Sequence, residues 1–156
     1  MFPHRPVWTL DSFTAVAPAL PEHFKRVLPT LVGGSIGNRL RERVMLGVAA
    51  ENRAPYSKTV HGALGRLSGL SADEVHRLKE GGIEAADDAE RLAVEYVRDL
   101  ARRDFVGRDP DLYEELGQSF SDDERAAIES SAHVMNFFDR LSNLLVAPLE
   151  KLGGSA

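Results

Sequence analysis

Apolar residues in this chain recur at helical spacing, and this constrains the fold more than any other feature. Within residues 38–51, Leu40, Val44 and Val48 form one apolar row along a predicted helix. No segment sustains the apolar–polar alternation that predicts a strand, and no repeat of fixed period appears. The sequence therefore predicts an all-α fold of about six to seven helices in a single domain spanning residues 1–156.

Proline, glycine and capping residues mark where these helices begin and end. Ser71 with Glu74, and Ser121 with Glu124, have the spacing of a capping box. Residues 1–20 are broken by proline and are predicted to form an irregular N-terminal arm. The predicted helices run from Pro21 to about Leu31, 38–51, 55–68, 71–80, 86–103, 110–116, and 121 to about 146, where Pro148 is expected to stop the last helix.

Composition and charge exclude several classes of function. The chain has no cysteine, which rules out disulfides, thiolate metal sites and thiol-based reactions. Its net charge of −5 argues against a nucleic-acid partner. No apolar stretch is long enough to span a bilayer, and the first residues do not form a secretory signal. We therefore expect a cytoplasmic protein with neither a nucleic-acid nor a membrane partner.

Glu42 is the first candidate for chemistry. Met45 and Leu46 follow it at positions that share its side of the helix, so its carboxylate lies on a partly apolar face. Such a setting suits a carboxylate to proton transfer. The alternative is that Glu42 lies at the edge of the apolar stripe and pairs with Arg39 or Arg43. The pattern alone favours this second interpretation.

His61 is the second candidate. It shares one face of the predicted 55–68 helix with Ala54, Ser57 and Leu64. Histidine titrates near neutral pH and is the natural proton carrier here. A histidine on such a face is nevertheless more often a hydrogen-bonded structural residue.

Metal binding has little support. His61, Glu42, His76 and His133 lack the HxxxH or HExxH spacing that would place two ligands on one helical face. We therefore predict no metal and no cofactor.

Together, these positions resemble the alkylhydroperoxidase-D-like (AhpD-like) and carboxymuconolactone-decarboxylase-like family. That family carries a glutamate, eleven residues, a cysteine, two residues, a second cysteine, three residues and a histidine. Here Glu42, Ala54, Ser57 and His61 fall at the same spacing. The resemblance is strongest over two ranges, 38–82 and 121–150; in the second, Asn136 and Arg140 occupy the family's usual places.

The resemblance implies an oligomeric AhpD-like helical bundle, and it also implies a lost activity. Family peroxidases use one cysteine as nucleophile and the other to resolve the sulfenic acid. Because Ala54 and Ser57 occupy the two thiol positions, we do not expect thiol peroxidase activity.

Two hypotheses for function remain. In the first, the chain is a cofactor-free acid–base enzyme, similar to the decarboxylase branch of the family or to an isomerase, acting on a small anionic substrate. Glu42 and His61 would transfer protons, and Tyr56 and Ser57 would donate hydrogen bonds. In the second, the chain is a non-catalytic oligomer that keeps the fold and binds a small molecule. An open cavity reaching both Glu42 and His61 would favour the first hypothesis.

Self-association is predicted as well. The resemblance implies a homo-oligomer, with a trimer or hexamer as the usual state of the family. The last predicted helix is apolar over a wide arc, which requires cover from more than one neighbour. That cover comes either from the same domain or from another subunit. The apolar residues are Met135, Phe137, Phe138, Leu141, Leu144 and Leu145, and a polar row of Asn136, Arg140 and Asn143 runs between them.

Overall fold

The protein is described by a computed structural model that covers Glu22, residues 34–83 and 87–153, with side chains to residue 144. Within these ranges the chain is all-helical and contains no strand, as the sequence predicts. The expected helix from Pro21 to Leu31 and the N-terminal arm lie, apart from Glu22, outside the described residues. The helices are α1 (Asn38–Glu51), α2 (Pro55–Leu67), α3 (Ala72–Lys79), α4 (Asp88–Arg102), α5 (Pro110–Ser119) and α6 (Asp122–Gly153).

Local signals fix most of these boundaries. Ser71 and Glu74 form the predicted capping box at the start of α3, with both reciprocal hydrogen bonds present. Gly69, with a φ of 95°, ends α2 in a Schellman turn closed by a 2.9 Å bond from the Leu70 N–H to the Gly65 carbonyl. α4 begins at Asp88, slightly later than predicted, because the Asp87 side chain accepts a hydrogen bond from the Glu90 N–H.

The predicted end of the last helix is wrong. α6 does not stop near residue 146 but continues through Pro148 to Gly153. A proline inside a helix removes one N–H donor and crowds the carbonyl four residues earlier. In a helix of 32 residues that local loss leaves the hydrogen bonds on both sides in place. None of the helices in the described part of the chain is long and apolar enough to cross a membrane.

α1 lies at the centre and packs against α2, α3, α4 and α6. Gly47 allows the close approach to α4, since a Cβ there would lie 3.2 Å from Val94. The predicted inward face of α4, which includes Tyr96, Val97 and Leu100, is buried in the main core. The buried core also contains Val44, Val48, Leu92, Ala93, Leu116, Ile128, Ala132 and Met135.

A buried cation ties three helices together. The Arg43 side chain in α1 is fully buried and forms an ion pair with Glu74 of α3. Its Nε also lies 2.8 Å from Oε2 of Glu90 in α4. Such a cation depends on its partners because removing one leaves charge in a medium that cannot solvate it.

The first prediction concerns Glu74. The hydrogen bond from the Ser71 backbone, with the Ser71 hydroxyl and Arg43, lowers the pKa of Glu74 to about 2 against the raising effect of burial. Because the folded-state pKa lies below the ordinary 4.5, its contribution to stability is complete above pH 4.5 and is lost as the pH falls towards 2. Glu74→Gln should lower the free energy of unfolding at pH 7 by about 1–2 kcal/mol and remove this pH dependence.

Urea denaturation between pH 2 and 7 measures both effects. Glu124→Gln is the matched control, because Glu124 occupies the same position in the predicted and observed capping box with Ser121. The control should cost less, since Glu124 caps a helix without an ion pair to Arg43. Equal losses in the two variants would contradict the role given to the Arg43 ion pair.

Candidate functional site

Glu42 and His61 meet where α1 and α2 pack together. The Nδ1 atom of His61 lies 2.8 Å from Oε2 of Glu42. Both side chains keep a small accessible surface, 17% for His61 and 11% for Glu42. The two groups that the sequence singled out separately, 19 residues apart, are therefore direct partners with access to solvent.

The alternative partners of Glu42 are engaged elsewhere. Arg39 contacts Glu74 at 3.0 Å, and the Arg43 ion pairs point to α3 and α4. The interpretation that the sequence pattern alone favoured, a pair between Glu42 and Arg39 or Arg43, is therefore wrong. Helical neighbours compete with residues from other helices, and here the tertiary contacts prevail.

The first turn of α2 carries the two positions that hold thiols in the resembled family. Ala54 is the N-cap residue and is fully buried, and Ser57 is 4% exposed. Ser57 precedes His61 by one helical turn, so the two side chains lie on the same face. Tyr56 lies on the outward side of α2 and is 65% exposed.

A third titratable group, Asp139 of α6, joins this site. Its side chain is fully buried, and Nδ2 of Asn52 donates to its Oδ2 at 2.9 Å. The Ser57 hydroxyl lies near enough to this carboxyl group to lower its pKa, while Oδ1 of Asp139 has no well-aligned donor among the described side chains. Burial raises the pKa of Asp139 to about 6, against the lowering effects of Ser57, Asn52 and the nearby His61.

Sequence reasoning missed Asp139, although a signal existed. The innermost row of α6 contains Ile128, Ala132 and Met135, all buried, and Asp139 is the next residue of that row. An aspartate in a row of core positions indicates either a buried hydrogen-bonded carboxyl group or a functional one.

The polar row of α6 faces the turn between α1 and α2. Asn52 Nδ2 donates to Oδ1 of Asn136 at 3.1 Å, and the Asn52 carbonyl accepts a 3.2 Å hydrogen bond from Asn143. Arg140 donates to Asn136 and forms an ion pair with Asp104 at the end of α4. The polar row therefore packs against the turn between α1 and α2 rather than facing solvent.

The two helix ends that reach this row are strained. Arg53, after α1, has a φ of 52°, and Asp104, after α4, has a φ of 59°. Both occupy the left-handed position of a Schellman turn that glycine usually fills, as Gly69 does after α2. A side chain in this conformation costs about 1–2 kcal/mol. Such strain is retained where the surrounding structure fixes it, which is common at functional sites.

A cavity in the described part of the chain lies away from this pair. It measures about 600 Å³ and is lined by residues of α3, α4 and the turn after α3, among them His76, Arg77, Glu95, Arg98 and Arg102. Neither Glu42 nor His61 lines it. His133, the other histidine weighed as a ligand, stacks on Phe105 with ring centroids 4.6 Å apart. Within the described residues no three acidic or histidine side chains are placed to hold a metal ion.

Comparison with known proteins supports the fold. No protein-family model matches the sequence, and no match was found among curated proteins. A peroxidase-related protein from Silicibacter sp. TM1040 superposes with a TM-score of 0.66 and 16% identity over 86% of this chain and 68% of that one. A protein from Agrobacterium tumefaciens, described as a candidate AhpD antioxidant defence protein, superposes with a TM-score of 0.66 and 23% identity, over 81% of this chain and 89% of that one. This chain therefore has the AhpD-like helical fold.

A second prediction follows from the burial of Asp139. Its folded-state pKa of about 6 lies above the ordinary 3.8, so the folded protein binds this proton more tightly than the unfolded chain does. The resulting stabilisation is complete below pH 3.8 and is lost as the pH rises through 6. Asp139→Asn should therefore raise the free energy of unfolding at pH 7, on the order of 1–2 kcal/mol.

Thermal or urea unfolding from pH 4 to 8 measures this effect. Asp88→Asn makes the same change in a side chain that is 97% exposed and should leave the pH dependence as it is in the unsubstituted protein. A lower stability of Asp139→Asn at pH 7 would count against a costly buried carboxylate.

Proposed function

We propose that this protein is a cofactor-free acid–base enzyme of the AhpD-like superfamily that acts on a small anionic substrate. The observation that carries the proposal is the 2.8 Å contact between His61 Nδ1 and Glu42 Oε2, made by two side chains that both remain partly accessible. A carboxylate bound to Nδ1 holds the proton on that nitrogen and leaves Nε2 as a proton acceptor. His61 is then the base that meets the substrate, and Glu42 orients it.

The surroundings of the pair favour an anion and proton transfer. Arg53 is exposed in the turn before α2, and Lys58 is half-buried one residue after Ser57. These cations offer charge for a carboxylate of the substrate, and Ser57 is available as a hydrogen-bond donor on the face of His61. Tyr56, expected from the sequence to be a second donor, lies on the outward side of α2 and has no such role in this proposal. The family's thiol chemistry is not part of the proposal, because alanine and serine cannot form a sulfenic acid or a disulfide.

A second candidate, a non-catalytic small-molecule-binding protein, is favoured by one observation. The cavity of about 600 Å³ between α3 and α4 is lined by neither Glu42 nor His61. In this alternative the Glu42–His61 pair serves as a structural hydrogen bond, and a ligand binds beside His76 and Arg98.

The third prediction separates these candidates. The unsubstituted protein, incubated in D2O with small keto acids and lactone acids, should exchange acidic C–H protons or convert the substrate, as followed by NMR. His61→Ala should lower the rate by about a hundredfold and Glu42→Gln by about tenfold, since general acid–base catalysis contributes factors of this order. His76→Ala is the matched control for the cavity and should leave the rate unchanged.

Two results would overturn the acid–base proposal. One is turnover of a peroxide with a thiol donor by this cysteine-free chain. The other is binding of a keto or lactone acid that His76→Ala abolishes and the Glu42 and His61 variants leave intact, which would favour the second candidate.

We also propose a homo-oligomer, a trimer or hexamer as is usual in the resembled family. The outward side of α2 carries four exposed apolar residues at helical spacing, Tyr56, Val60, Leu64 and Leu67, and Leu67 is 84% exposed. A contiguous apolar row of this kind on a surface helix favours association. The wide apolar arc of α6 supports the same proposal, since Phe138 is 43% exposed.

The fourth prediction tests this row. Light scattering at micromolar concentration should give the mass of a trimer or hexamer, and Leu64→Glu should shift it towards the monomer by placing charge in the interface. Val106→Glu is the control, since Val106 is 80% exposed but lies outside α2. A monomeric mass for the unsubstituted protein would refute the oligomer.

A further inference from the structure

We propose that Asp139, acting through the Ser57 hydroxyl, is a proton source opposite His61, so that the enzyme catalyses an allylic proton shift in a small unsaturated keto acid. This inference rests on the proposed acid–base function and specifies its reaction class. It is carried by the placement of Asp139, Ser57, His61 and Glu42 around one turn of α2.

Two similar pairs lie side by side on this turn. In each pair a carboxyl group from another helix backs a side chain of α2 that can carry a proton. Glu42 of α1 hydrogen-bonds His61 at 2.8 Å, and Asp139 of α6 lies near enough to Ser57 for the hydroxyl to lower its pKa. Residues four apart on a helix have Cβ atoms about 5–6 Å apart, which leaves room for a three-carbon unit between a donor and an acceptor.

The burial of Asp139 directs its proton through Ser57. Asp139 has no exposed surface, so a proton must reach it or leave it through a neighbouring group. The Asn52 amide only donates to it, whereas a hydroxyl can accept and donate a proton in the same step. Ser57, itself 4% exposed, is the group that links Asp139 to the face occupied by His61.

The proton shift balances without a cofactor or redox partner. Nε2 of His61 takes a proton from the carbon between the carbonyl and the double bond, and the C–H electron pair forms a dienolate. Ser57 gives its proton to the far carbon of the dienolate and takes the proton of Asp139. The double bond then lies next to the carbonyl; His61 is protonated and Asp139 is ionised, and exchange with water restores both.

The surroundings of Asp139 favour its neutral, proton-donating form more than water would favour that of an exposed aspartate. From α2 it faces His61, whose partner is Glu42, and from its own helix it adjoins Arg140. Arg140 forms an ion pair with Asp104. The raised pKa of this carboxyl group agrees with this arrangement. An asparagine would fill the same space without that desolvation cost.

The experiment uses the full chain in D2O and a five-carbon γ,δ-unsaturated α-keto acid, in which one CH2 group separates the carbonyl from the double bond. NMR follows two rates: deuterium exchange at the carbon next to the carbonyl, and conversion to the conjugated isomer. His61→Ala should lose both. Asp139→Asn and Ser57→Ala should keep the exchange and lose at least tenfold in conversion. Asp88→Asn, the same substitution in a side chain that is 97% exposed, should keep both rates within a factor of about three.

A substrate-independent measurement accompanies the kinetics. The Asp139 carboxyl group, labelled with ¹³C, should titrate near pH 6, and Ser57→Ala should move its midpoint upwards because Ser57 lowers the pKa of Asp139. The midpoint in Asp88→Asn should stay in place. Asp139→Asn should also melt no lower than the unsubstituted protein at pH 7, which excludes misfolding as the cause of lost conversion.

The outcomes are distinguishable. An Asp139 carboxyl group that does not titrate between pH 4 and 9, or an Asp139→Asn variant that converts at the unsubstituted rate, overturns the inference and leaves the acid–base function standing. A protein that titrates as expected but neither exchanges nor converts the keto acid overturns the acid–base function, and the reaction class proposed here falls with it.

Discussion

The site depends on the hydrogen bonds that fix Asn52 against α6. This residue ends α1, and its side chain and carbonyl together bind Asn136, Asp139 and Asn143 of α6. The chain then reverses direction in a tight turn through Arg53. Because Asn52 is fixed against α6, the first turn of α2 can start at only one angle to α1. That angle brings His61 to Glu42 and Ser57 to Asp139.

The molecule concentrates its unfavourable features at this junction. Arg53 and Asp104 hold left-handed backbone conformations there, and Asp139 places an ionisable carboxyl group in the core row of α6. Away from this junction, α2 and α3 end in Schellman turns with Gly69 and Gly81 at the left-handed position. Features that cost stability and gather in one place usually mark a functional site rather than a general weakness of the fold. The buried Arg43 network, on the other side of α1, fixes the scaffold against which this strain is held.

The absence of cysteine changes the chemistry open to the site, but the acid and imidazole remain in place. In the resembled family, glutamate and histidine serve a pair of thiols, and here they flank Ala54 and Ser57. The acid and the imidazole still meet at hydrogen-bonding distance. The proton carriers remain together around one turn of α2. Such an arrangement suits proton transfer rather than nucleophilic attack by a thiolate. This chain shares its architecture with the two proteins of similar fold. At 16% and 23% sequence identity, that similarity says nothing about a shared activity.

The sequence by itself determined the helices, because their signals are local. These signals act within a few residues: apolar periodicity, the capping boxes at Ser71 and Ser121, and the glycine after α2. The apolar periodicity of residues 38–51 predicts the bounds of α1 directly. The helix end predicted at Pro148 was wrong for the same reason. A proline disfavours a helix only locally, and α6 continues past it to Gly153. Only the tertiary structure decided the partner of Glu42. Arg39 and Arg43 are close to Glu42 in sequence, whereas His61 lies 19 residues away and reaches it only because α1 and α2 pack together. Asp139 entered the site for the same reason: its proximity to Ser57 depends on how α6 crosses the turn after α1, and no local pattern encodes that crossing.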